Sequence, residues 1–222
     1  MAARPGAATF DVIGTTFSLE SVRTALIQVG FPSHVLETWF ARTLRDGFAL
    51  AATQTFAPFR ALFEFNLEEL ARSHSVLIKS EQKEQILGQF AALSAHSDAR
   101  QAFQILKDGG IQIFALSNGA LATSRKLLEN ASLDTFVERV ISVEDIRVFK
   151  PRREIYLHAA QVAGIAPAEM MLIATHAWDV HGAKRAGLMA AFVARGQQFP
   201  GTMETPNVIG DTLLEVARAI TA

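Results

Sequence analysis

The sequence predicts an α/β fold, a doubly wound parallel sheet with an inserted helical subdomain, and three observations lead to this prediction. Short runs of four to six apolar residues recur along the chain, as is typical of strands buried on both faces. Helical patterns alternate with these runs, which favours parallel strand pairing. The exception is residues 17–96, which contain helical patterns only and are too long to be one crossover connection.

Four apolar runs account for the predicted strands, and five helical patterns accompany them. The first run ends just before Gly14 and the second just before Ser117, residues that favour turns. We expect these elements to form one α/β domain made of residues 1–16 and 97–222. The strands are predicted at 8–13, 111–116, 170–174 and 190–193, and the helices at 98–108, 120–129, 153–162, 180–186 and 212–220.

Residues 17–96 are predicted to form a separate helical subdomain. Apolar residues three or four positions apart predict helices at 18–29, 34–53, 61–74 and 80–95. Six of the 16 phenylalanines lie between residues 40 and 65. These rings either pack the inside of the subdomain or form an apolar lid over a site, and the two roles are compatible.

Composition excludes several classes of protein. Of the 222 residues, 21 are Lys or Arg and 22 are Asp or Glu, so a net charge of −1 gives no broad reason to bind nucleic acid or an anionic membrane. With no cysteine, the chain has no disulfide, thiolate nucleophile or Cys-ligated metal. The first residues lack the apolar segment of a signal peptide, so a cytoplasmic location is the expectation. The sequence leaves the oligomeric state open, a homodimer included.

Reactive side chains cluster where the predicted strands end. Ligands of open α/β sheets bind at the carboxyl ends of the strands, so these positions are the candidates for a site. A carboxylate, small hydroxyl groups, a lysine and a second carboxylate together suit nucleophilic catalysis. The set comprises Asp11 and Thr15 after the first strand, Ser117 and Asn118 after the second, Lys150 before a helix, and His176, Trp178 and Asp179 after the third strand.

These residues belong to four motifs whose order and spacing resemble those of the haloacid dehalogenase superfamily. The motifs are FDVIGT at 10–15, LSNG at 116–119, FKPRREIY at 149–156 and ATHAWDVHGAKRAG at 174–187. The LSNG, KP-x4-Y and WD-x2-GA signatures are similar to those of the type II 2-haloacid dehalogenases. The resemblance covers nearly the whole chain and implies a Rossmann-like core with residues 17–96 as a helical cap.

The resemblance implies a reaction and roles for five residues. Asp11 would displace halide from C2 of a 2-haloalkanoate with inversion, and water would hydrolyse the resulting aspartyl ester to a 2-hydroxy acid. Lys150 and Asp179 would orient or activate that water. Thr15 and Ser117 would hydrogen-bond Asp11 or the substrate carboxylate. This reaction needs neither metal nor cofactor, and its partner is a small-molecule 2-haloalkanoate.

The halide site implied by the resemblance combines Asn118 with an arginine of the cap. Arg42 is the better positional match, and Arg45, one helical turn away, is the alternative. Four further residues are candidates for lining the substrate or halide site. Packing roles are equally open for several of them: Ile13, Tyr156, His176 and Trp178.

Two alternative functions stay open at this point. A phosphatase of the same superfamily would need an acid two residues after the nucleophile and commonly has another four residues before the last motif aspartate, but Ile13 and Thr175 occupy these positions. Both departures favour a leaving group that needs no proton and no Mg²⁺, such as a halide. The second alternative is a non-catalytic protein that binds a small carboxylate.

Overall fold

The computed structural model describes residues 4–222, so the first three residues of the predicted 1–16 segment lie outside the described residues. Six parallel strands form one sheet in the order β3-β2-β1-β4-β5-β6, which confirms the predicted α/β class. The strands are β1 (Ala7–Asp11), β2 (Gln112–Ser117), β3 (Arg139–Ser142), β4 (Met170–Ala174), β5 (Met189–Val193) and β6 (Val208–Gly210).

Helices occupy the intervals between the strands. Four of them lie consecutively between β1 and the helix that precedes β2: α1 (Glu20–Gln28), α2 (Val35–Ala52), α3 (Phe59–Ser73) and α4 (Ser80–Gly88). The remaining helices are α5 (Ala99–Asp108), α6 (Leu121–Asn130), α7 (Arg153–Ala163), α8 (Ala177–Ala186) and α9 (Leu213–Thr221). In residues 4–222, no helix is both long enough and apolar enough to cross a membrane.

Two strands were not predicted, and one predicted helix is shorter than expected. β3 begins at an exposed arginine, and β6 has only three residues, of which Ile209 is exposed, so neither is a run of four to six buried apolar residues. The pattern at 80–95 predicted one helix, but α4 ends at Gly88 and a short 3-10 turn follows at Gln89–Ala91. The apolar periodicity continues through this turn although the α-helix does not.

Strand register brings three strand ends to one edge of the sheet. Asp11, the last residue of β1, lies beside Leu116 of β2, and Phe10 lies beside Ile173 of β4. β1 is flanked on both sides by strands and is fully buried. The loops that follow β1, β2 and β4 therefore meet around Asp11.

The segments that leave and rejoin the sheet run side by side. Ser18 N–H donates to the Ser94 carbonyl at 2.9 Å, and His96 N–H donates to the Thr16 carbonyl at 2.9 Å. Phe17 and Ala95 pair in antiparallel fashion between these bonds. The four-helix insertion is therefore joined to the sheet by two adjacent, hydrogen-bonded segments.

Candidate active site

The centre of the site is a buried ion-pair triad of one lysine and two carboxylates. Lys150 Nζ donates to Asp11 Oδ1 at 3.0 Å and to Asp179 Oδ2 at 2.8 Å. The side chains of Lys150 and Asp179 are fully buried, and that of Asp11 is 8% exposed. The motifs at 10–15, 149–156 and 174–187 are thus brought together at a single ammonium group.

Burial and charge act in opposite directions on Lys150. Burial alone lowers the pKa of Lys150, but its contacts with Asp11 and Asp179 outweigh burial and hold the pKa above the ordinary value of 10.5. The lysine is therefore a fixed positive charge at neutral pH, in contact with the carboxylate that ends β1.

Asp179 is held on both of its oxygens. Besides Lys150, Tyr156 Oη donates to Asp179 Oδ1 at 2.6 Å. Burial raises the pKa of Asp179, and the attraction of Lys150 only partly offsets that effect. Burial also raises the pKa of Tyr156 well above its ordinary value, so the phenol stays a donor. Tyr156 acts on Asp179 from within the core and is not among the residues that line the pocket.

Thr15 connects the loop after β1 to the loop after β4. Its hydroxyl donates to Asp11 Oδ2 at 2.7 Å and accepts the Thr175 N–H at 3.0 Å. Each oxygen of Asp11 therefore has one donor, Lys150 on one side and Thr15 on the other. These contacts fix the carboxylate plane before any substrate is bound.

The loop after β2 contributes a hydroxyl and an amide. Ser117 Oγ accepts the Gly119 N–H at 2.9 Å, and among the described residues its hydroxyl makes no hydrogen bond to Asp11. Asn118 Oδ1 accepts the backbone N–H of Lys150 at 3.1 Å. This bond fixes the orientation of the amide, and its NH₂ group has no partner among the described residues. It remains free to donate to a ligand.

A small pocket lies over Asp11, with a cavity volume of about 10 Å³. That is roughly the space of one water molecule. Its walls are mainly apolar, and Asp11 and His176 are its only titratable residues. The lining residues are Asp11, Ile13, Phe40, Leu44, Phe59, Ser117, Asn118, His176 and Trp178.

Neither predicted cap arginine lines this pocket. Helix α2 contributes Phe40 and Leu44, which are four residues apart and therefore share one helix face. Arg42 lies two residues from each, about 200° around the helix from Phe40. Arg45 is 66% exposed and pairs with Asp46. The structure therefore does not bring either arginine to the pocket over Asp11, and a role for Arg42 or Arg45 beside the halide stays a prediction.

Four rings form a chain of contacts that we call the aromatic ladder: two from α2, one from the loop after β4 and one from the first turn of α8. Phe40 lies against His176 with ring centroids 5.7 Å apart, and His176 lies against Trp178 at 5.5 Å. Trp178 in turn meets the ring of Phe48 edge-on at 5.2 Å. Phe40 and Phe48 both belong to α2, so the ladder attaches the insertion to the sheet directly above Asp11.

Sequence reasoning missed part of the pocket wall. Phe40 and Phe59 belong to the phenylalanine cluster between residues 40 and 65, for which the sequence left both packing and a lid open, and there was no separate indication for Leu44. The spacing of Phe40 and Leu44 on one helix face was the available signal. The motif resemblance pointed to charged residues of α2 instead.

The described residues show no group of three or more His, Cys, Asp or Glu arranged to hold a metal ion. The two positions where an acid would favour Mg²⁺ are occupied by Ile13, which lines the pocket, and Thr175. Metal independence stays a prediction.

The sheet order, the four-helix insertion and a lysine-held aspartate at the end of the central strand together define a hydrolase class. The family model described as haloacid dehalogenase-like hydrolase matches residues 7–187. This match covers most of the chain, and the chain belongs to that family.

Relatives within the family are 2-haloacid dehalogenases. The chain is 32% identical to the (S)-2-haloacid dehalogenase of Xanthobacter autotrophicus over 198 residues, 86% of this chain and 76% of that protein. It is 27% identical to (S)-2-haloacid dehalogenase 4A of Burkholderia cepacia over 191 residues, 85% and 83% of the two chains.

A solved structure with a similar fold is that of L-2-haloacid dehalogenase from Xanthobacter autotrophicus with chloropropionic acid covalently bound. The TM-score is 0.89 at 23% identity, over 97% of this chain and 98% of that one. At this identity the likeness establishes the fold alone.

Proposed function

We propose that this chain hydrolyses short 2-haloalkanoic acids to 2-hydroxy acids through an ester of Asp11. The observation that carries the proposal is a carboxylate with one donor on each oxygen, facing a small and mainly apolar pocket. Apolar walls suit a carbon–halogen bond. The names of the two curated relatives support the same substrate class.

The first step is a displacement at carbon. An oxygen of Asp11 attacks C2, a carbon–oxygen bond forms, and the halide leaves with the electron pair of the broken carbon–halogen bond. The free NH₂ group of Asn118 is available to donate to the departing halide or to the substrate carboxylate. The attack inverts C2.

The second step is hydrolysis of the ester at the Asp11 carbonyl carbon. Water adds to that carbon, and cleavage of the acyl–oxygen bond releases the 2-hydroxy acid, the carboxylate and one proton. Lys150 Nζ, 3.0 Å from Asp11 Oδ1, is placed to stabilise negative charge that develops on that oxygen. Asp179 accepts a hydrogen bond from Lys150 and so fixes the position of the ammonium group, and Tyr156 in turn fixes Asp179.

The residue two positions after Asp11 disfavours the phosphatase alternative. A phosphomonoesterase must protonate an alkoxide leaving group, and Ile13, at the position that would carry the acid, has no proton to give. A halide leaves without protonation. Release of halide from chloroacetate and 2-chloropropionate, with p-nitrophenyl phosphate as the counter-substrate, separates the two functions.

The ester mechanism has its own test. In a single turnover with excess enzyme in ¹⁸O-water, we expect the label in Asp11 and not in the hydroxy acid. Asp11→Asn should abolish turnover while the protein stays folded, and Asp108→Asn, exposed on α5, should have no effect. Label found directly in the product would mean that water attacks C2, and the ester mechanism would be wrong.

We further propose that the substrate is the (S)-2-halo acid, the enantiomer in the names of the curated relatives. Conversion of racemic 2-chloropropionate should then stop near one half and give the (R)-2-hydroxy acid.

Residues 17–96 act in this proposal as a cap over the site. A cytoplasmic location and a homodimer stay predictions from the sequence.

A further inference from the structure

The pocket over Asp11 lies beside an excess of negative charge, which is unfavourable for binding an anionic substrate. Beneath it, two carboxylates share a single ammonium group, since Lys150 contacts both Asp11 and Asp179. A 2-haloalkanoate would add another negative charge, and the cap arginines that could balance it are not in the pocket. Close like charges in a buried site are unfavourable unless a cation accompanies them.

His176 is the one pocket residue that can supply this cation. Its Nε2 lies 3.1 Å from the Ile13 carbonyl oxygen and 3.6 Å from Asp11 Oδ2. A carbonyl oxygen can only accept, so Nε2 carries a proton and points it toward these oxygens. The other ring nitrogen has no hydrogen-bond partner among the described residues, so it is the atom available to take up a proton.

The surroundings of the ring suit a cation. Phe40 and Trp178 both stack against the His176 ring in the aromatic ladder, and aromatic faces attract positive charge. Gly14 makes room for the ring, because a Cβ at that position would lie 2.9 Å from Nε2. The side chain is 18% exposed, so it can exchange a proton with solvent.

Charged groups approach His176 from several elements. Asp11 at the end of β1 is in contact with it, and Lys150 and Asp179 lie behind that carboxylate. On the loop from Gly14 to Thr15, His96 contacts the Gly14 carbonyl and Arg195 donates to the Thr15 carbonyl. Burial lowers the pKa of His96, and Arg195 lowers it further, so this ring does not supply positive charge to the site. His176 is the histidine in contact with Asp11.

We infer that His176 binds the substrate as an imidazolium, so that the 2-haloalkanoate anion and one proton enter the site together. This inference rests on the proposed function and assigns the positive charge of the substrate site to a residue of the sheet domain. Its contact with Asp11 also makes His176 a positioning residue for the attacking carboxylate.

The test measures proton uptake when propionate, an unreactive carboxylate, binds. Calorimetry at pH 8 in two buffers of different ionisation enthalpy should show uptake of close to one proton. Because one proton is taken up with each propionate, affinity should fall about tenfold for each pH unit in the range where the free ring is neutral. His176→Gln should bind propionate weakly, without proton uptake or pH dependence, and His34→Gln, at an exposed histidine, should behave as wild type.

A second measurement does not depend on the variant's folding. In wild-type protein with ¹⁵N-labelled histidine, the His176 ring should stay protonated to higher pH once propionate is bound. Propionate affinity that is flat from pH 6 to 9, or unchanged His176 titration, would overturn the inference. If wild type still releases halide in that case, the proposed function stands. If no 2-halo acid yields halide, the proposed function itself fails.

Discussion

At the scale of single residues, Lys150 determines the electrostatics of the site. It is a fully buried ammonium that contacts two carboxylates from different strand ends. Removing one partner of such a set leaves an uncompensated buried charge, which costs more than the pairing itself contributes. The effect of Lys150 on stability and on catalysis is therefore coupled.

We expect Lys150→Met to lower the free energy of unfolding by roughly 3–5 kcal/mol at neutral pH. Halide release should fall by about 10²–10³-fold, because the donor to Asp11 Oδ1 is lost. Urea unfolding and steady-state assays measure the two effects. Lys126→Met, on the exposed surface of α6, is the matched control and should change neither.

The contribution of Lys150 also has a defined pH range. The folded protein raises the pKa of Lys150 above 10.5, so this stabilisation is complete below pH 10.5 and is lost as pH rises through the folded pKa. Wild type should lose stability in that alkaline range, and Lys150→Met should lose less. Equal alkaline losses in the two proteins would contradict this assignment.

Ile13 and Thr175 lead to a prediction about metal. A divalent ion bound at Asp11 would stand close to the Lys150 ammonium and be repelled by it, and neither Ile13 nor Thr175 offers a carboxylate. We expect full halide release after EDTA treatment and no stimulation by added Mg²⁺. Loss of activity in EDTA, with recovery when Mg²⁺ is added, would contradict metal independence and favour the phosphatase alternative.

The limit of sequence reasoning is clearest at Arg42. The residues near Asp11 could be predicted from sequence because strand ends and motif order fix them, and the structure brings Lys150, Asp179 and Thr15 into contact with or behind Asp11. No such constraint fixes the insertion. An offset of two residues on a helix reverses the direction of a side chain, so Phe40 faces the pocket where a cap arginine was expected.

At the scale of elements, the packing of α7 against α8 depends on Gly182. A Cβ at this position would lie 2.6 Å from Pro151 Cβ and from Tyr156 Oη, and 3.0 Å from the Pro151 carbonyl oxygen. Such distances cannot be accommodated without moving one helix. The WD-x2-GA signature therefore has a steric basis, which the sequence pattern alone does not reveal.

Gly182→Ala should lower the free energy of unfolding by roughly 1–3 kcal/mol through overpacking. It should also reduce halide release, because displaced Tyr156 no longer fixes Asp179 behind Lys150. The control is Gly88→Ala at the end of α4, where a Cβ meets nothing within 4 Å. That variant should be as stable as wild type or slightly more so.

The strands show which elements a sequence can predict. The four predicted strands correspond to β1, β2, β4 and β5, which are apolar and buried almost throughout. β3 and β6 occupy the two edges of the sheet, where one side has no neighbouring strand. Their formation depends on pairing with an existing strand, a tertiary effect that leaves little mark on local sequence.

At the scale of the whole molecule, the cavity over Asp11 is narrow, and three rings of the aromatic ladder line it: Phe40, His176 and Trp178. Its volume of about 10 Å³ is roughly that of one water molecule, so we expect these rings to move apart when a 2-haloalkanoate binds. A second cavity of about 130 Å³ lies next to it and shares Ile13 and Phe59 with the pocket. We expect the four-helix insertion to move about the two hydrogen-bonded segments at 16–18 and 94–96 when a substrate enters.

Hydrogen exchange should detect this opening. Bound propionate should slow exchange in α2, whose Phe40 and Phe48 form the ladder, and leave the amides of β1, β2 and β4 unchanged. Phe48→Ala, which removes one end of the ladder, should speed exchange in α2 of the free protein. Equal protection with and without propionate would show that the cap does not open on this route.

The position of the insertion also governs how the chain assembles. Ala7 of β1 pairs with Gln112 of β2, so the entire insertion separates the two partners along the chain. Loop-closure entropy grows by only about 0.6 kcal/mol for each doubling of length, but non-local pairing slows folding. If the four helices form first, the bonds from Ser18 to Ser94 and from His96 to Thr16 shorten the effective loop. The nucleophile's strand would then be completed late, and partly folded chains would carry no reactive carboxylate site.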